Sequence, residues 1–173
     1  MKMAKKLLAV VLAGVLAVSL LTGCGGAGSA KTIAEAMSDK SIAEAMSDMS
    51  EEGVVYQADP ELRQIAEKIV GPSDAMQEGE TDIYDKIMAI MGDDYNDKYV
   101  WIAATTTKGC DVMTQASNLL EDVDEDEDSN INSAVPNGTS PAKVRSIGTA
   151  PITMNGVDCR IAVITADAVQ DKV

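Results

Sequence analysis

The chain has 173 residues, 28 of them acidic and 14 basic, with no histidine, no phenylalanine, three cysteines and ten methionines. That length accommodates one domain of ordinary size, and an apolar content of 46% excludes wholesale disorder. The net charge of −14 argues against nucleic acid and anionic membrane surfaces as partners of the folded face, and the lack of histidine removes Ser-His, Cys-His and His-metal sites together.

The first element is an address. Lys2, Lys5 and Lys6 precede an uncharged apolar run from Leu7 to Leu21. A basic start followed by such a run has the layout of a secretory signal, and it is short for a spanning helix, which needs roughly 20 apolar residues. The run ends in Leu21-Thr22-Gly23-Cys24. This segment resembles the lipobox of bacterial lipoprotein signal peptides. The resemblance implies diacylglycerol on the Cys24 sulfur, cleavage after Gly23, and a mature chain held by its lipid on the extracytoplasmic face of the cell membrane. Two acyl chains on one cysteine, with palmitate as a typical component, suffice for stable anchoring. Cleavage there removes three basic residues and no acidic ones, so the net charge moves from −14 to −17.

Residues 24–52 read as a flexible tether. Gly25-Gly26-Ala27-Gly28-Ser29-Ala30 has little capacity to pack. Within the tether, Ile33-Ala-Glu-Ala-Met-Ser-Asp39 recurs as Ile42-Ala-Glu-Ala-Met-Ser-Asp48. Nine helical steps rotate by about 900°, a half turn, so the two copies cannot share one apolar stripe on a continuous helix. Thr32 with Glu35, and Ser41 with Glu44, each have capping-box spacing. The expectation is two short helical turns or one poorly packed helix, tolerated as a spacer.

A single α+β domain is expected over 53–173. Val54-Val55-Tyr56 is a short extended segment. Asp59 as N-cap and Pro60 at the first helical position open a helix with Leu62, Ile65, Ala66 and Ile69 on one stripe, ended by Gly71-Pro72. A second helix is expected over 82–91, stopped by Gly92, with its methionines filling core gaps. Tyr99 to Thr107 reads as a strand, with Trp101 as a core anchor, and Val112 to Val123 has helical spacing. Lys143 to Met154 and Val157 to Thr165 read as strands joined at Asn155-Gly156, with Pro151 marking an edge or a bulge. Residues 166–173 are expected to close with a helical turn. The order implies N-terminal helices on a small sheet and a β-α-β-β unit, the split β-α-β arrangement of a ferredoxin-like half.

Site candidates are few. Cys24 is assigned to lipid, leaving Cys110 and Cys159 as an even pair. In an exported protein such a pair points to a disulfide. Closing about 50 residues would stabilise by about 4 kcal/mol in the chain-entropy model. Two buried free thiols are the alternative. Glu121 to Asp128 holds seven carboxylates in eight residues. A Ca²⁺ loop starting at Asp124 would use Asp126 and Asp128, but Ser129 stands where glycine is required and Val135 where a bidentate glutamate is required. A solvated acidic loop is the default, and no resident metal or cofactor is expected beyond the covalent lipid. With no phosphate loop and no histidine-based nucleophile, the chain reads as a non-enzymatic binding or envelope-accessory module. The alternatives are an acidic binder of cationic proteins or peptides, and a carboxylate-based hydrolase of envelope glycans.

Overall fold

The computed structural model describes residues 27–51, 53–76, 83–124, 129–154 and 156–171. Four helices and four strands follow in the order α1 (Ala27–Met49), β1 (Val55–Ala58), α2 (Pro60–Met76), α3 (Ile83–Met91), a 3₁₀ turn (Asp93–Tyr95), β2 (Lys98–Thr106), α4 (Val112–Asp124), β3 (Thr139–Met154) and β4 (Val157–Gln170). The fold is α+β. The chain divides into two units between Ser38 and Asp39.

The four strands form one mixed sheet in the order β1-β3-β4-β2. β1 runs parallel to β3, whereas β4 is antiparallel to both β3 and β2. β3 and β4 form a hairpin in which Met154 pairs with Val157 and Gly156 takes φ +76°, a left-handed conformation that glycine adopts without strain, and Asn155, the other residue of the expected turn, lies outside the described residues. Pro151 lies on β3 beyond the reach of β1, whose pairing stops at Ile147, so β3 is locally an edge there.

Side-chain alternation divides the core between the two faces of the sheet. On one face, Tyr56, Trp101, Ala103, Ile147, Ala162, Ile164 and Ala166 pack with Ile42, Ala43, Ala45 and Met46 of α1 and with Ala116, Leu119, Leu120 and Val123 of α4. On the other, Val100, Ala150, Ile152, Ile161 and Val163 pack with Leu62, Ile65, Ala66 and Ile69 of α2 and Ile87 and Met91 of α3. Helices thus cover both faces.

The helix starts follow local chemistry. Asp59 caps α2, its Oδ1 accepting from Glu61 N at 2.8 Å, and Asp111 caps α4, its Oδ1 accepting from Thr114 N at 2.8 Å. Backbone hydrogen bonding at an N-terminus holds the Asp111 carboxyl below the usual carboxylate range. Gly92, at φ +87°, ends α3.

Three sequence expectations are corrected. The helix opened by Asp59-Pro60 does not stop at Gly71-Pro72 but continues to Met76. The segment after Thr165 forms no helical turn: β4 continues to Gln170, because Thr165, Ala166 and Asp167 pair with Val100, Tyr99 and Lys98, and Ala168 to Gln170 pair with Thr139 to Pro141. The residues expected as spacer are core from Asp39 onward. Ile42 and Met46 are fully buried, whereas Ala34 and Ala36, which match Ala43 and Ala45 in the repeat, are exposed. The half turn between copies leaves one copy to pack, and the second copy occupies the sheet face.

Both outer strands of the sheet have backbone donors taken by other elements. On β1, Tyr56 N donates to Ser47 Oγ of α1 at 2.8 Å. On β2, Val100 N donates to Asn130 Oδ1 at 2.9 Å, Ile131 N donates to Val100 O at 2.9 Å, and Ala104 N donates to Asp122 Oδ2 of α4 at 3.0 Å.

Candidate functional site

The half-turn repeat also places a charge in the interior. Asp39 lies three, four and seven residues before Ile42, Ala43 and Met46, so it shares their stripe and is only 2% exposed, while its counterpart Asp48 faces solvent. A carboxylate taken out of water is penalised by several kcal/mol unless it is paired and hydrogen-bonded. The fold supplies partners from three other elements. Thr149 Oγ1 of β3 donates to Asp39 Oδ1. Arg63 Nη1, in the first turn of α2, stands 3.8 Å from Asp39 Oδ2. Arg160 Nη1 of β4 donates to Thr149 Oγ1 at 2.7 Å, so the Thr149 hydroxyl relays between a cation and an anion. Arg160 Nε donates to Gln115 Oε1 at 3.3 Å, and Gln115 Nε2 donates to the Cys110 carbonyl at 3.1 Å. One chain of polar contacts therefore links α1, β3, β4 and α4, with Arg63 joining it from α2.

Burial pushes the Asp39 carboxyl above its ordinary range, against the opposing pull of the Thr149 hydrogen bond and of Arg63 and Arg160. Arg63 reaches this position because α2 starts against β3. Asp59 N donates to Ile147 O at 2.8 Å, and the next residue, Gly148, lies so close to α2 that a Cβ there would fall 2.0 Å from Arg63 N.

A second constellation lies on the same sheet face. Tyr56, Arg145, Ala166 and Tyr99 pair in one row across the four strands. The Arg145 guanidinium sits 5.6 Å from the Tyr56 ring centre and 5.1 Å from that of Trp101, and its Nη1 donates to Tyr56 Oη at 2.8 Å. Tyr99 and Trp101 stack at 5.8 Å, and Tyr99 Oη donates to Thr139 O. Ala166 stands between Arg145 and Tyr99 in this row. Trp101, 4% exposed, is a core anchor as its sequence context implies. Arg145 already fills the cation position between these rings.

Cys110 and Cys159 both stand as free thiols, and no bridge joins them in the structure. The two do lie toward the same end of the sheet: Cys159 pairs with Thr106, the last residue of β2, four residues before Cys110. Their faces differ. Cys159 packs with Ile161 on the side of α2 and α3, whereas Cys110 leads into α4 on the other side. Residue spacing shows the shared end of the sheet but not this difference in side.

Other candidates fall elsewhere. Cys24 and its lipobox, Asp126 and Asp128 lie outside the described residues, as does the side chain of Asp124. Among the described residues, no group of three or more His, Cys, Asp or Glu side chains is placed to hold a metal ion, and no helix is long and apolar enough to cross a membrane. Sequence reading missed Asn130 and Asn132. Asn132, 3% exposed, donates from Nδ2 to the carbonyls of Lys98 at 2.8 Å and Tyr95 at 3.0 Å, and its Oδ1 accepts from Ala134 N. Asn130 Nδ2 donates to Asn132 O at 2.9 Å. The Asn-Ile-Asn spacing is the signal for such backbone-binding amides.

No family model matches the chain, and neither a curated protein nor a solved structure matches it.

Proposed function

We propose that the chain is an extracytoplasmic lipoprotein, anchored by diacylglycerol on Cys24, and that its domain from Asp39 onward is a non-enzymatic binding or envelope-accessory module. The anchor is supported by Leu21-Thr22-Gly23-Cys24 standing behind a basic start and an apolar run. The non-catalytic reading is supported chiefly by Asp39. It is the one carboxylate buried among the described residues, and its two oxygens face Thr149 and Arg63. That carboxylate is engaged in holding elements together, not presented to a substrate as an acid or nucleophile.

The test is covalent labelling. Expressed in a bacterium fed an alkyne-tagged fatty acid, the chain takes up label and fractionates with membranes, and Cys24→Ser loses the label and moves to the soluble fraction. A native chain without label, or a labelled Cys24→Ser variant, overturns the anchor.

A second reading has the acidic surface as the binding feature, since the net charge is −17 after cleavage at Gly23. Polylysine captured at low salt is then released at about 0.5 M salt, where attraction between exposed charges is screened within a few ångströms. Retention at that salt rejects the electrostatic reading.

A further inference from the structure

The repeat is longer than its apolar positions show. Lys31-Thr-Ile-Ala-Glu-Ala-Met-Ser-Asp39 is followed without a spacer by Lys40-Ser-Ile-Ala-Glu-Ala-Met-Ser-Asp48, with Thr32 against Ser41 as the one difference. The second copy provides the contacts that seat α1. Ile42, Ala43, Ala45 and Met46 are buried, and Ser47 Oγ accepts from Tyr56 N at 2.8 Å. The first copy carries the same side chains in the same order, and its Ala34 and Ala36 are exposed.

We propose that α1 seats on the sheet in two registers nine residues apart, the second placing 31–39 where 40–48 now lie, and that Asp39 selects the first. A screw movement of nine residues advances a helix by about 13.5 Å and turns it through about 900°, which carries one copy onto the site of the other in the same orientation. In the second register Ile33, Ala34, Ala36 and Met37 replace Ile42, Ala43, Ala45 and Met46. Ser38 replaces Ser47 at the Tyr56 amide, and Ser41 replaces Ser50. Four buried or half-buried positions change character, among them half-buried Glu35 and Met37, which give way to Gly26 and Gly28. Asp39 is replaced by Ala30, which leaves Thr149 and Arg63 without their carboxylate, and half-buried Met49 is replaced by Lys40, whose stem can pack while its ammonium reaches water. The connection to β1 lengthens by nine residues, and closure entropy grows only logarithmically with length. Among the buried positions of α1, 39, 42, 43, 45 and 46, Asp39 alone changes, and that buried change is what distinguishes the registers. If Cys24 is the anchor, the shift shortens the segment between lipid and domain from fifteen residues to six. That consequence rests on the lipoprotein reading, and the register itself does not.

The test compares urea midpoints of the full chain with Met37→Lys, Met46→Lys and both. In the second register residue 46 lies in the lengthened connection, where lysine is harmless. Met37→Lys therefore leaves the midpoint nearly unchanged. Met46→Lys lowers it modestly, and the monomeric protein folds with the first copy seated. The double variant falls by more than about twice the summed single shifts, because neither copy can seat. Hydrogen exchange on Met46→Lys then shows protection over 33–39 and its loss over 42–49. A Met46→Lys chain that is unfolded, matches the double variant, or folds only as a dimer overturns the proposal. So does one that keeps its protection over 42–49.

Discussion

Asp39 and Thr149, 110 positions apart in the chain, share a buried hydrogen bond that fixes the start of the domain to its third strand. The Thr149 hydroxyl also accepts from Arg160, so two charged groups of opposite sign depend on one neutral side chain. Thr149→Val keeps the volume and removes both contacts. We expect a loss of roughly 1–3 kcal/mol in urea unfolding, the range for stranding buried polar groups, and we expect Thr149→Ser to restore most of it. A loss in Thr149→Ser with none in Thr149→Val would show that the methyl group, not the hydroxyl, matters.

The same carboxylate sets the sign of a pH effect. Burial raises the Asp39 pKa in the folded state, so the folded chain binds this proton more tightly than the unfolded chain. Its contribution to stability is complete below the ordinary carboxylate pKa, about 4, and is lost as pH rises through the higher folded value. Unfolding free energies of wild type and Asp39→Asn, compared from about pH 3 to 7, should show the wild type losing ground to the variant as pH increases. The opposite slope would mean that Arg63 and Arg160 outweigh desolvation.

Gly148 leaves no room for any other residue. A Cβ there would lie 2.0 Å from Arg63 N and 2.2 Å from the Leu62 carbonyl carbon, both backbone atoms that cannot rotate away. Gly148→Ala must separate α2 from β3, and we expect a cost on the order of 3 kcal/mol, at the upper end for overpacking, with a clear fall in Tm. A Tm within a degree or two of wild type would show that α2 does not press on β3.

Cys110 and Cys159 are free thiols in the fold, Cys159 packed on the side of α2 and α3 and Cys110 in the segment before α4, so the protein should give the same intact mass with and without reductant, and both thiols should alkylate in urea without reduction. A difference of two hydrogens would require the end of the sheet to rearrange.

These expectations separate what local chemistry specifies from what pairing decides. Asp59-Pro60, Gly92 and Gly156 specify a start, a stop and a turn through their own backbone preferences, and each does so in the fold. Ala166-Asp167-Ala168 carries no strand preference. It is extended because β2 and β3 offer partners on both sides. The repeat gives a geometric exclusion, that two copies cannot share one stripe, but not which copy packs. The polar chain through Asp39, Thr149, Arg160 and Gln115 was not legible, because its members come from four elements and no spacing in the sequence connects them. For the cysteines, an even count suggested a pair, while the segment each occupies depended on the pairing of β4 and the path of the chain into α4.

The taken donors at both margins of the sheet carry a consequence for behaviour in crowded conditions. An uncovered outer strand recruits the same strand from a neighbouring molecule, and that is how ordered fibrils begin. Ser47 on one margin, with Asn130, Ile131 and Asp122 on the other, interrupts that template along β1 and β2, which opposes growth of the sheet from one copy into the next at those two strands.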